Sequence, residues 1–374
     1  MRLLILDQFS DPGGAQQALR ELLPGIRERG WDATVGMPGD GPLLEQIGEL
    51  GFETARIHCG PYHFGRKTLA DGLRFLSGLP RLAHQVRLLV KQTQADLVYV
   101  NGPRILPAVR GLRAPVVFHS HSYIGAGLAR RMAGGALRDT GASLIAACRF
   151  VAEPWYEFVP RERVKLIYNG VAGPALRLER SRGAFSVGCI GRIAPEKGQR
   201  EFLRVAAIVY RALPECRFVV LGAPLFGDAR AERYAAQVRA AAAGLPVEFT
   251  GWVADIHTAL ARLDLLLVPS TGLEATTRVI LEAYAAGVPV IAFPSGGIPE
   301  VVAGLSGILA TSVQEMAALA IELLTGPAER RSRMSEAARE QWRLRFTLER
   351  YRQDVLAAIE CAVRGSAARE LTNA

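Results

Sequence analysis

The feature that most restricts the fold of this chain is a recurrence of short runs rich in Val, Ile and Leu, separated by helix-length stretches. Each run is four or five residues long, which suits a strand and is too short for a buried helix. Apolar runs of this kind, buried on both faces, belong to parallel sheets whose crossovers are helices. In the first half they predict strands near 2–6, 32–36, 53–57, 96–100, 115–119, 143–147 and 164–168. A polar stretch without periodicity follows, Leu176 to Gly183 (LRLERSRG), and reads as a domain boundary. The alternation then restarts near 186–190, 217–221, 247–250, 264–268, 289–292 and 306–309. From Gln199, the residues Phe202, Val205, Ala206 and Val209 stand at i, i+3, i+4 and i+7, the stripe of an amphipathic helix. The expected fold class is α/β, with two tandem Rossmann-like, doubly wound domains over residues 1–172 and 183–346 facing a cleft. Ligands of open α/β sheets bind beyond the carboxyl ends of the strands, so the residues that matter should follow them.

The chain has 374 residues, enough for two cores, and its 49% apolar and 22% charged content is that of an ordinary globular protein. Its five cysteines form an odd set without a CxxC pair, so neither a disulfide framework nor a cysteine zinc site is supported. No apolar run approaches the roughly 18–20 residues of a membrane span, and Met1-Arg2 followed by LLIL and Asp7 is no signal peptide. The expected location is cytoplasmic. The charge is uneven: between Arg56 and Arg149 there are 14 basic residues and three acidic ones. Such a segment marks a face for anionic lipid, phosphate-bearing substrates or nucleic acid, or simply an arginine-rich solvated surface.

Four places after strands carry unusual residues. Asp11-Pro12-Gly13-Gly14-Ala15-Gln16 puts a glycine pair at a helix start, which serves either a tight turn or close approach to an anion. It lacks the GxGxxG fingerprint, which argues against a nicotinamide cofactor. His119 and His121 end the run PVVFH and alternate onto one side if the strand continues. One of them can reach the crevice while the other packs, and no third ligand supports a metal. Arg192 and Lys197 flank the loop Gly191 to Gly198 (GRIAPEKG) before a helix, where two cations and amide donors suit a diphosphate. In the stretch from Pro269 to Ile291, Glu274 lies in a loop and Glu282 about a turn inside the next helix. Thr276 or Thr277 is placed to cap that helix and Gly287 to end it.

Taken together, these segments resemble the GT-B-fold, retaining nucleotide-sugar glycosyltransferases of family 4. The resemblance is carried by GGAQ, PVVFHSH, KLIYNGV, GRIAPEKG, the GWV turn at Gly251, VPS with the paired glutamates, and AGVPVIAFPSGGIPEVV, in order over most of the chain. It implies that Arg192 and Lys197 hold the donor diphosphate and stabilise the leaving-group charge, with no metal and no cofactor beyond the nucleotide diphosphate sugar itself. It implies that Glu274 contacts the transferred sugar and Glu282 the ribose, with Thr277 and Arg278 at the donor and Val253, beside Trp252, near the base. Simple core packing is an equal reading for Val253 and Trp252. His121 matches the histidine beside the donor sugar and acceptor, and Gly13 and Gly14 the loop that closes on the donor. Residues 347–366 match a closing helix that crosses back to the first domain.

This chain departs from the family pattern at Ala275-Thr276-Thr277, where many members have a small residue followed by Phe-Gly, and at Cys148-Arg149, where many have Ser-Glu. The basic segment Arg66 to Lys91 shows Leu69, Leu73 and Leu76 on one stripe and Leu82, Val86 and Leu89 on another, with a break expected near Gly78 and Pro80. The resemblance makes it a surface for anionic membrane and admits a lipid-linked hydroxyl acceptor, with no nucleic acid among the partners and a peripheral place on the inner face of the cytoplasmic membrane. The expected activity is transfer of a hexose-type sugar with retention, in glycan, polysaccharide or glycolipid synthesis. The rival readings are a GT-B nucleotide-sugar epimerase and a noncatalytic basic module. The cation clamp and paired glutamates favour transfer.

Overall fold

A computed structural model describes residues 1–60, 68–174, 184–224, 229–253 and 255–372, with side chains to 365. The chain forms two compact units, Met1–Asn169 with Glu349–Ala374, and Gly170–Leu348. The polar stretch 176–183, and Arg66 and Lys67 of the basic segment, lie outside the described residues.

The first unit is built on strands β1 (Arg2–Leu6), β2 (Asp32–Met37), β3 (Glu53–Arg56), β4 (Leu97–Val100), β5 (Val116–Ser120), β6 (Ser143–Ala146) and β7 (Val164–Leu166). They form one parallel sheet in the order β3-β2-β1-β4-β5-β6-β7, with Ile5 opposite Val35 on one side and Tyr99 on the other. The direction of winding reverses at β1 and β4, so a crevice opens above that pair at the strands' carboxyl ends. The helix Gly14–Glu28 buries Ala18, Leu19, Leu22, Leu23 and Ile26. The final helix, Leu348–Thr372, also packs in this unit. The Tyr351 hydroxyl donates to the Ala18 carbonyl (3.3 Å), Arg352 Nε to the Glu21 carbonyl (2.7 Å), and Arg29 pairs with Glu360.

The helix Leu69–Thr93 corrects one expectation, because it runs through Gly78 and Pro80 without a break. Thr68 and Asp71 form a reciprocal capping box at its start. Pro80 removes one helical hydrogen bond, but apolar side chains anchor the helix on both sides of it. Phe75 and Leu79 pack on the core before the proline, and Leu82 and Val86 are buried after it. Further along the fold, Trp155 is fully buried, edge-on to Phe118 at 5.2 Å, and its indole N–H donates to Ser120 Oγ at 3.0 Å.

The second unit contains β8 (Ser186–Ile190), β9 (Arg217–Leu221), β10 (Val247–Gly251), β11 (Leu265–Val268), β12 (Val290–Ala292) and β13 (Gly307–Leu309). They form a parallel sheet in the order β10-β9-β8-β11-β12-β13, whose winding reverses at β8 and β11. The helix Gln199–Ala212 buries Phe202, Val205, Ala206 and Val209, the stripe read from the sequence. At the reversal, the loops after β8 and β11 are in direct contact. Gly198, at φ 73°, approaches Pro269 so closely that a Cβ would stand 1.8 Å from its carbonyl oxygen. The Glu196 carbonyl accepts from the amides of Thr271 (3.0 Å) and Gly272 (3.1 Å).

Two stability predictions follow from this packing. Trp155→Ala should cost about 3–5 kcal/mol in urea unfolding, from the cavity and the lost hydrogen bond to Ser120, and Trp155→Phe should cost less. Gly198→Ala should cost at least about 3 kcal/mol, because strain and a carbonyl clash coincide. Gly244→Ala, at φ 80° with open space around it, should lose only about 1–2 kcal/mol.

Candidate active site

The first unit gathers a buried polar cluster at its strand reversal. Asp7 follows β1, Asn101 follows β4 and His121 follows β5, so three apolar strands each end on a polar residue at the same edge of the sheet. The Asp7 carboxylate accepts from Gln16 Nε2 (2.8 Å), Asn101 Nδ2 (2.6 Å) and the Phe9 amide (2.9 Å). Burial pushes its pKa up to about 6, and these donors restrain the rise. Asn101 Oδ1 lies 2.8 Å from His121 Nε2.

His119 and His121 do share one side, with ring centroids 3.9 Å apart. His119 is the packed member, fully buried with its Nδ1 2.5 Å from the Tyr99 hydroxyl, while His121 is half-buried. Burial first, and then the neighbouring His121, holds the His119 imidazole well below the usual histidine range, so it is neutral. Gly13 stands at the N-cap of the helix that opens with Gly14. The Gln16 amide oxygen lies 2.7 Å from where a Cβ at Gly13 would be, so this glycine makes room for the side chain that holds Asp7.

The second unit brings the predicted donor residues to its own reversal. Lys197 Nζ meets both oxygens of Glu274, at 2.7 and 3.0 Å, joining the loop after β8 to the loop after β11. Both side chains are largely buried, 24% and 13% exposed, so the pair is shielded from the screening that weakens surface ion pairs. Arg192 pairs with Glu196 at 2.5 Å. Arg278 lies 3.7 Å from Glu282, one turn along the helix Arg278–Ala286, and reaches the Gly170 carbonyl at 3.4 Å. Each predicted cation therefore faces a carboxylate of its own unit.

Around these charges the backbone is held tightly. Gln199 Nε2 donates to the Arg192 carbonyl (2.9 Å) and its Oε1 accepts from the Ala194 amide (3.3 Å), which braces the loop carrying both cations. The Glu274 carbonyl accepts from the Gly297 amide (2.9 Å), and a Cβ on Gly296, at φ 55°, would stand 2.0 Å from it. Gly287 ends the helix in the left-handed region, as its position predicts. Thr277 takes the N-cap position but makes no capping bond. Its buried Oγ1 has no hydrogen-bond partner among the described residues, leaving a hydroxyl and the helix's first amides at the same point. Trp252 is 58% exposed, which sets aside core packing for it, while Val253 beside it is half-buried. Cys148 is buried and Arg149 exposed.

Sequence reasoning passed over Asp7, Asn101 and Gln199. The signal was available: a lone polar residue directly after RLLIL and after LVYV, and a glutamine directly after GRIAPEKG.

Two family models match the chain. The model described as Glycosyltransferase Family 4 matches residues 12–172, and that described as Glycosyl transferases group 1 matches residues 184–326. Among curated relatives, a GDP-mannose-dependent monoacylated alpha-(1-6)-phosphatidylinositol monomannoside mannosyltransferase of Corynebacterium glutamicum is 32% identical over 165 residues, 41% of each chain. A D-inositol 3-phosphate glycosyltransferase of Segniliparus rotundus is 35% identical over 192 residues, covering 48% of this chain and 41% of the relative. The chain thus spans about two fifths of the length of these two relatives. Among solved structures, Anabaena HepE in complex with UDP superposes with a TM-score of 0.81 at 24% identity, over 96% of this chain and 100% of the other. The chain has the GT-B fold and belongs to glycosyltransferase family 4, the group 1 glycosyltransferases.

Proposed function

We propose that this protein transfers a hexose from a nucleotide diphosphate sugar to a hydroxyl acceptor with retention of anomeric configuration and without a metal ion. The observation that carries the reading is the largely buried Lys197–Glu274 pair at the β8/β11 reversal. Within the pair each group satisfies the other. When a donor enters, its diphosphate competes for Lys197 as a doubly charged anion, and the Glu274 carboxylate becomes an acceptor for sugar hydroxyls. Arg192 adds a second cation, and the Thr277 hydroxyl and the amides that follow it supply donors at a helix N-terminus.

In the reaction the acceptor oxygen forms a bond to the anomeric carbon as that carbon's bond to the diphosphate oxygen breaks. The departing nucleoside diphosphate takes the acceptor proton. Arg192 and Lys197 stabilise the charge that develops on the leaving group, the role that makes positioned cations effective. Glycosyl transfer is also what the names of the relatives describe, and one solved structure of the same fold is of HepE in complex with UDP-glucose.

Arg192→Ala and Lys197→Ala should each lower kcat about 10²–10³-fold, with EDTA leaving the wild-type rate unchanged and NMR of the product showing the donor's anomeric configuration. The donor class is read by thermal unfolding with UDP, GDP, ADP and NAD. A nucleoside diphosphate at about 100 times its Kd adds about 2.7 kcal/mol. Stabilisation by NAD alone, or an Arg192→Ala variant with the full rate, overturns the proposal.

A lipid-linked acceptor reached from a membrane surface is a second reading, favoured by the helix Leu69–Thr93. Its first half exposes Leu69 (91%), Leu73 (69%) and Leu76 (42%) beside the exposed Arg74. Arg81, Arg87 and Lys91 extend the positive face. No helix among the described residues is long and apolar enough to cross a membrane. An amphipathic, basic face of this kind lies at the interface of an anionic bilayer. The protein should sediment with vesicles containing anionic phospholipid and not with purely zwitterionic ones, and Leu69→Glu/Leu73→Glu should abolish sedimentation. Equal binding to both vesicle types removes this reading.

A further inference from the structure

The polar cluster of the first unit has an internal logic that puts a hydrogen on His121 Nε2. Asn101 presents its two amide atoms to different neighbours. On the Nδ2 side are the Asp7 carboxylate at 2.6 Å and the Ala15 carbonyl at 3.3 Å, and on the Oδ1 side is His121 Nε2 at 2.8 Å. The Ala15 carbonyl only accepts, and so does the Asp7 carboxylate when ionised. The amide therefore has one allowed orientation, with N–H groups toward Asp7 and the oxygen toward the histidine. An amide oxygen only accepts, so Nε2 of His121 must carry a hydrogen.

Asp7 is in turn held from behind. Its Oδ1 accepts from Gln16 Nε2 and the Phe9 amide, leaving Oδ2 for Asn101. Asp7 and Asn101 are nearly or fully buried and Gln16 is 3% exposed, so water does not compete for these bonds.

We propose that Asn101, locked by Asp7, is a positioning residue that fixes His121 as the Nε2-protonated tautomer and holds its ring in one orientation. His119, its ring tilted against that of His121 with centroids 3.9 Å apart, is the wall against which the ring is held. The consequence for the enzyme is that His121 needs no reorganisation of ring or proton when substrate arrives. The proposal rests on the placement of His121 in the transfer site for its significance, but not for its chemistry.

The test reads the tautomer directly, without substrate. Long-range 1H–15N correlation spectra of 15N-histidine-labelled protein at pH 7.5 distinguish Nε2–H from Nδ1–H, and the His121 signals among the six histidines are identified by their loss in His121→Gln. Wild-type protein should show His121 wholly as Nε2–H. Asp7→Asn should loosen it. Gln16 and the Phe9 amide would keep the new side chain's oxygen, so its NH2 group would oppose the present orientation of Asn101 while the Ala15 carbonyl opposes the turned one, and His121 should become a mixture of both tautomers. Asn101→Ala should leave a mixture of both tautomers, and serves if Asp7→Asn does not fold. A wild-type His121 found as Nδ1–H or mixed, or a tautomer unchanged in a folded variant of either kind, overturns the proposal. Loss of His121's importance would appear separately, as full transfer by His121→Gln with the tautomer result intact.

Discussion

A parallel sheet covered by helices on both faces leaves almost no freedom for polar chemistry, and that constraint organises this protein. Its backbone donors and acceptors are consumed by the ladders, and its side chains, from Leu3 to Leu6 and from Leu97 to Val100, are fully buried. Polar groups emerge where the strands end. Where the winding reverses, neighbouring loops lead away in opposite directions and open a space. Both units place their polar residues at that point, beside β1 and β4 in one and β8 and β11 in the other. The first collects neutral and singly charged hydrogen-bonding groups. The second collects cations matched with carboxylates.

The pairing of each cation is the more telling feature. An unpaired Lys197 with only 24% of its side chain exposed would be costly, and Glu274 removes that cost while leaving the lysine in place. Under the proposed function a dianion would replace the carboxylate at Lys197. The backbone itself is held by close glycine contacts, Gly198 on Pro269 and Gly296 on Glu274, and by the Gln199 brace. Rigid loops with exchangeable charge partners suit the proposed binding and release of a diphosphate.

The fold was legible almost entirely from local patterns. Short Val, Ile and Leu runs such as RLLIL and LLLV cannot bury themselves other than as strands, and the Phe202 to Val209 stripe cannot face two ways. Arg192, Lys197, Glu274 and Glu282 could be singled out because each sits in a contiguous motif, and the structure gathers them beside the β8/β11 reversal as ion pairs. What escaped was the first unit's network. Asp7, Asn101 and His121 are separated by 94 and 20 residues, and nothing local to any of them announces the others. Pro80 misled for the opposite reason. Its local effect is real, but packing of Phe75, Leu79, Leu82 and Val86 outweighs it.

The sequence by itself therefore determined the elements, their periodicity and the motifs that follow them, because these depend on neighbours within one or two turns of chain. The tertiary structure decided which carboxylate neutralises which cation, which histidine is packed and which is half-open, and that the Thr277 hydroxyl has no hydrogen-bond partner among the described residues. Those outcomes depend on which strand ends become neighbours, and the sheet order β3-β2-β1-β4 or β9-β8-β11 is settled by burial of the whole core. No residue carries that information alone.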